Sequence, residues 1–114
     1  MSTVFSKIRD KEIPAEFLYE DEDIFAIRDI MPQAKVHILI IPKKDIPTLN
    51  DMREPDTLLI GKMILVASQL AQRFGIQESG YRLVMNCNGD GGQTVFQLHL
   101  HLLGGEPLRG SFGN

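Results

Sequence analysis

Between Val95 and Leu103 polar and apolar residues alternate, with Gln97, His99 and His101 interleaved among Leu98, Leu100 and Leu102. Side chains two apart share one face of a β-strand, so the pattern predicts a strand with one apolar face and one face carrying the glutamine and both histidines. Val36 to Ile41 is β-branched and almost continuously apolar, interrupted by His37 and closed by Pro42, which predicts a buried strand. The runs Phe17 to Glu20 and Ile24 to Asp29 flank the acidic turn Asp21-Glu22-Asp23 and predict a hairpin, and Tyr81 to Asn86 predicts a further strand. The period changes between Pro55 and about Phe74. There Leu59, Met63, Val66, Leu70 and Phe74 recur at spacings of four and three, widened by Ile60, Ile64, Ala67 and Ala71, the pattern of an amphipathic helix. Pro55 suits its first position, and Arg73 and Gly75 suit its end. Val4, Phe5 and Ile8, after Ser2 or Thr3 as N-cap, predict a short helix ending before Pro14.

The order helix, three strands, helix, two strands predicts an α+β fold. Hairpin-length early links and one helical crossover suit a five-stranded antiparallel sheet with a short N-terminal helix and one long helix, the helices packed on one face. The 114 residues make one domain, 1–114, with an irregular tail from about residue 106.

Composition narrows the partners. The chain is 43% apolar and 24% charged with a formal charge of −3, ordinary for a globular protein and unsuited to coating a polyanion. No nucleic-acid partner is expected, although a pocket for a small nucleotide is compatible with this balance. No window reaches the length of a membrane span and no signal-peptide core stands at the N-terminus, so no membrane partner and a cytoplasmic location are expected. Cys87 is the sole cysteine, which agrees with a reducing compartment and reads as a packed thiol at a strand end.

Chemistry concentrates around the histidines. His37, His99 and His101 are the only three, and the polar run Asn88-Gly89-Asp90-Gly91-Gly92-Gln93-Thr94 feeds directly into the second and third. Glycines in such a run let backbone N–H groups approach an anion. If the His37 strand lies beside the His99 strand with matching faces, His37 joins the patch, and two chemistries follow. His-x-His with a remote third ligand could hold zinc or iron, with Asp29 or Asp45 as further donors at loop edges. Alternatively, a neutral imidazole whose other nitrogen is held by a hydrogen bond attacks phosphorus, with Gln93 and Thr94 as donors to the phosphoryl oxygens. No cationic side chain is expected near the site, which leaves backbone dipoles or a protonated histidine as the positive field.

The chain resembles the histidine triad family, specifically its Hint branch of nucleoside phosphoramidate hydrolases. The resemblance is carried by Phe5-Ser6-Lys7-Ile8, Lys11-Glu12-Ile13-Pro14, Arg28-Asp29-Ile30 with Pro32-Gln33-Ala34, His37 with Ile41-Pro42-Lys43-Lys44, Asn86, Asp90 to Val95 and the His99/His101 alternation. It runs in order and spacing up to Gly105. It implies a HIT-like fold, a homodimer, a purine nucleotide of AMP or GMP type as ligand, and no metal or other cofactor. It further implies His99 as the nucleophile that forms a nucleotidyl-imidazole, with His101 and His37 beside the α-phosphate. Asn86, Gln93 and Thr94 become polar contacts, Thr94 near the leaving group, and Asp29 the partner of the ribose hydroxyls. Val4, Phe5, Ile8, Ile13, Ile27 and Ile30 become the apolar wall around the purine. Two positions depart from the pattern: Gln97 stands where the first triad histidine is expected, and Asp45 where close relatives often carry another. Gln97 retains hydrogen-bonding capacity and its backbone carbonyl, so it is expected at the nucleotide site as an orienting residue. The departure keeps open an alternative in which the protein binds nucleotides for a partner and its catalysis is vestigial.

Overall fold

The computed structural model describes residues 2–110. Thr3 caps helix α1 (Val4–Arg9), its hydroxyl accepting the Ser6 N–H at 3.1 Å while the Ser6 hydroxyl accepts the Thr3 N–H at 2.8 Å. The hairpin forms as β1 (Tyr19–Glu20) and β2 (Ile24–Arg28), and Asp21 fixes its turn by accepting the N–H groups of Asp23 and Ile24. Strand β3 (Val36–Pro42), helix α2 (Thr57–Arg73), β4 (Tyr81–Val84) and β5 (Leu100–Gly104) follow. All five strands join one antiparallel sheet in the order β1-β2-β3-β5-β4.

Alternate residues of the same strands enter different apolar clusters. Ile24, Ala26, Ile38, Ile40, Leu100 and Leu102 pack with Met63, Val66, Ala67, Leu70 and Ala71 of α2. Phe25, Ile27, Leu39 and Ile41 pack instead with Phe5 and Ile8 of α1. The two helices therefore cover opposite faces of the sheet, where the element order alone suggested one. The predicted α2 stripe is buried at Met63, Val66, Ala67, Leu70 and Ala71 and partly buried at Leu59, Ile60 and Phe74, whereas Ile64 is 49% exposed and joins Leu58 and Leu65 on the outer surface.

Three boundaries differ from expectation, each for a local reason. β5 starts at Leu100, not near Val95. Its ladder with β3 runs from Val36↔Gly104 to Ile40↔Leu100, and the next hydrogen-bonded pair in that register, Pro42 with Leu98, would need an N–H from Pro42, which has none. Leu98 donates instead to the Ile46 carbonyl at 2.7 Å. Pro55 lies in a single 3-10 turn (Glu54–Asp56) ahead of α2, and Asp56 is anchored by the Arg53 N–H at 2.9 Å and by Lys44. β4 stops at Val84 because Asn86 already belongs to the glycine-rich loop, where its side-chain amide donates to the Gly91 carbonyl at 2.7 Å. Residues 106–110 carry no regular structure, and 111–114, the rest of the tail expected from about residue 106, lie outside the described residues. Among the described residues no helix is long and apolar enough to cross a membrane.

Candidate active site

The register brings His37 to the other histidines. His37 pairs with Leu103 and Leu39 with His101, so His37 and His101 are diagonal neighbours on the sheet face that bears α1. Their rings meet with His37 Nε2 2.9 Å from His101 Nδ1. Beyond the edge of β2, Asp29 Oδ2 stands 3.4 Å from His37 Nε2, while Asp29 Oδ1 accepts the Met31 N–H at 2.8 Å. His99 lies just before β5, its ring centroid 4.9 Å from that of His101 and 5.0 Å from that of Phe5, edge-on to both.

The bonding assigns the tautomers. The Gln33 N–H donates to His37 Nδ1 at 3.1 Å, so the proton of neutral His37 is on Nε2, facing His101 Nδ1 and Asp29. His101 Nδ1 then accepts, and its proton is on Nε2. His99 Nδ1–H donates to the Gln97 carbonyl at 2.7 Å, which leaves the lone pair on Nε2. Among the described residues that nitrogen has no protein partner and no buried side-chain nitrogen or oxygen goes unbonded, so it opens to the cavity. Burial holds all three imidazoles below their ordinary 6.5. For His101 burial, reinforced by His99 and His37, brings the value down to about 4. At His37 burial outweighs the opposing pull of Asp29, and at His99 it outweighs the Gln97 carbonyl. The cluster is neutral at pH 7, the state in which an imidazole nitrogen is nucleophilic.

A cavity of about 860 Å³ runs over this face, lined by Asp29, Ile30, His37, Asn86, Thr94, His99 and His101 from the set expected to form the site. The other expected residues lie outside its lining. Phe5, Ile8 and Ile27 are buried in the second apolar cluster, and Val4 and Ile13 are on the surface at 44% and 36% exposure. Gln93 is buried, donating to the Pro47 and Val95 carbonyls and accepting the Asn88 N–H, so it braces the glycine-rich loop. Gln97 does not share the cavity face with His99 and His101, because the chain bends before β5; among the described residues its amide bonds only to backbone of residues 42–46. The same loop shows why Gly91 is required, since a Cβ there would sit 2.4 Å from the Cys87 carbonyl oxygen.

Two cationic groups that no motif announces also line the cavity. Arg82 and Arg109 line the far end of the cavity with Glu106, and Arg82 Nη1 donates to the Arg109 carbonyl at 2.8 Å. Arg82 pairs with Leu103, which pairs with His37, so Arg82 is two strands, about 10 Å, from His37 across the sheet. Its signal was the alternation Arg82, Val84, Asn86, readable only once the β4 register is known. Met31 and Gln33 are also in the lining; Gln33 stood in the Pro32-Gln33-Ala34 segment of the resemblance without a role of its own, and Met31 in no motif.

Asp29, His37 and His101 each offer a ligand atom, all within 4.8 Å of one another, the spacing of a transition-metal site. The donor set does not fit a resident ion. Ligation by His37 Nε2 needs its lone pair there, and the Gln33 N–H already takes the lone pair of Nδ1.

A neutral histidine cluster on an antiparallel α+β sheet, with a free imidazole nitrogen opening to a nucleotide-sized cavity, defines a protein of the histidine triad class. The HIT domain profile matches residues 10–108, and the chain belongs to that family. It is 53% identical over 106 residues, 93% of this chain and 89% of the other, to the purine nucleoside phosphoramidase of Escherichia coli K12. An uncharacterized HIT-like protein of Synechocystis is 49% identical over 93% of this chain and 92% of its own. The crystal structure of a HIT family hydrolase from Legionella pneumophila superposes with a TM-score of 0.92 at 50% identity, covering 95% of this chain and 96% of that one.

Proposed function

We propose that this protein is a hydrolase of purine nucleoside phosphoramidates, or of related nucleoside monophosphate conjugates, working through a nucleotidyl-His99 intermediate. The observation that carries the reading is the His99 Nδ1–H bond to the Gln97 carbonyl, which leaves Nε2 unprotonated at the cavity wall. Support comes from the 53% identity to a named phosphoramidase over most of both chains.

In this reading the α-phosphate lies over His99 and His101. His99 Nε2 attacks phosphorus as the P–N bond breaks, and the electron pair stays on the departing amine, which takes a proton from water in the open cavity. Water then attacks the phosphorus, the P–Nε2 bond breaks, and the water's proton is released. His101 Nε2–H and the Thr94 hydroxyl donate to the phosphoryl oxygens as charge builds, and His37 keeps His101 in the donating tautomer. Asn86 adds a polar contact. Asp29 accepts from the ribose hydroxyls, and Ile30, 95% exposed and part of the cavity lining, lies against the purine. Phe5, Ile8 and Ile27 back that wall. The steps use no metal or cofactor.

The protein acts as a homodimer in the cytoplasm. Among the described residues the outer edge of β4 is unpaired, and α2 exposes Ile64 and Leu65, two features suited to a second copy. The sole Cys87 agrees with a reducing compartment.

Hydrolysis of an adenosine 5′-phosphoramidate by wild type and His99→Ala, in chelator-containing buffer, tests the activity. Turnover by the wild type, abolished in the variant while AMP still binds, is expected. AMP binding without wild-type turnover would overturn the reading in favour of a nucleotide-binding module, an alternative that the placement of the Gln97 side chain away from the cavity does not favour.

A further inference from the structure

We propose that Gln97 is a positioning residue for His99, acting through the turn at residues 42–46, and is not a weakened triad histidine. The Gln97 amide is buried, and it replaces the strand ladder that Pro42 interrupts. Its Nε2 donates to the carbonyls of Pro42 and Lys44 at 2.9 and 2.8 Å, and its Oε1 accepts the Ile46 N–H at 3.1 Å. One side chain satisfies three backbone groups, two acceptors and one donor. A neutral imidazole has one donor and one acceptor, and an imidazolium two donors and none, so histidine leaves at least one of these groups unmet.

The same turn is gripped from its other side. Arg9 of α1 donates through Nη1 to the Lys43 carbonyl at 2.9 Å and to Asp45 Oδ1 at 2.7 Å. Asp45 and Gln97 are the two positions that depart from the family pattern, and they hold one turn from opposite sides. What the turn supports is His99. The backbone carbonyl of Gln97 fixes the His99 Nδ1–H, and α1, tied to the turn by Arg9, presses Phe5 edge-on against the His99 ring. The side chain and carbonyl of Gln97 thus fix the chain position and the imidazole tautomer together.

This inference rests on His99 being the nucleophile, and it is tested by Gln97→His and Gln97→Glu. For Gln97→His, kcat is expected to fall about tenfold with AMP affinity unchanged, since orientation is lost and the nucleotide contacts are not. Long-range ¹H–¹⁵N spectra are expected to show one His99 tautomer in the wild type and a mixture in the variant. Gln97→Glu sets a carboxylate against two carbonyls, so its kcat falls further. Its ratio to wild type recovers between about pH 8 and about pH 5.5 as the carboxyl gains a proton to donate. A Gln97→His protein with equal or higher kcat and an unchanged His99 tautomer would overturn the proposal. Should neither variant fold, Arg9→Gln loosens the turn from its exposed side: a smaller kcat loss at unchanged AMP affinity is expected, and no change in kcat or tautomer overturns the proposal. A wild type without turnover refutes the hydrolase reading alone, and the tautomer comparison still decides the positioning role.

Discussion

Among the three histidines, His101 is held furthest from its ordinary value. Its value is held down to about 4 while in the unfolded chain it returns to about 6.5. Between those values the unfolded state binds a proton that the native state refuses, so stability is full above about pH 6.5 and is lost as pH falls toward 4. His37 and His99 are lowered too and act with the same sign. Asp56, lowered by its bond from Lys44, gives way only beneath the ordinary carboxylate value of 3.8. Thermal midpoints are therefore expected to decline already between pH 6.5 and 4.5, less steeply in His101→Asn, and the acid limb of kcat/KM to lie below 6.5. A flat midpoint over that window would contradict the neutral cluster. His99 and His101 were legible from alternation, whereas His37 needed the register of two strands distant in sequence. Gln93 and Gln97 were misplaced because an amide is equally fit to bind a phosphate or its own backbone, and only the fold says which.

Elements with a clear period were legible, and those governed by a single backbone group were not. α2 follows its stripe almost throughout, but the start of β5 was set by one missing N–H at Pro42, which no property of residues 95–99 announces. The glycine-rich loop is a similar case. Composition marked it, yet its geometry comes from Asn86 and Gln93 bonding inward and from the close approach of Gly91 to Cys87. Gly91→Ala must push the Cys87 carbonyl away and shift Thr94 with it. Its kcat/KM is expected to drop at least about tenfold, with a lower thermal midpoint, since displacement of a reacting group by about 1 Å costs up to about a hundredfold. An unaltered midpoint and rate would mean that the loop yields freely.

At the scale of the whole molecule, the sheet stands between two apolar clusters with its cavity on the α1 side and an open edge at β4. The fold class followed from element order, but the placement of the helices on both faces required the strand registers. If copies join through β4 and the outer face of α2, Leu65→Lys is expected to yield monomers in analytical ultracentrifugation, and a wild type already monomeric at micromolar concentration would refute the dimer. Strand β5 has its own consequence. Leu100 and Leu102 belong to the α2 cluster while His101, between them, faces the cavity, so a change of volume at either leucine moves the imidazole. Heritable variation there is not free to explore packing and chemistry separately, and a selection for heat resistance at those leucines is also a selection on turnover. Arg82 and Arg109, at the far end of the cavity, carry no such burden. What the cavity admits at that end can change by substitution while the histidine cluster remains as it is.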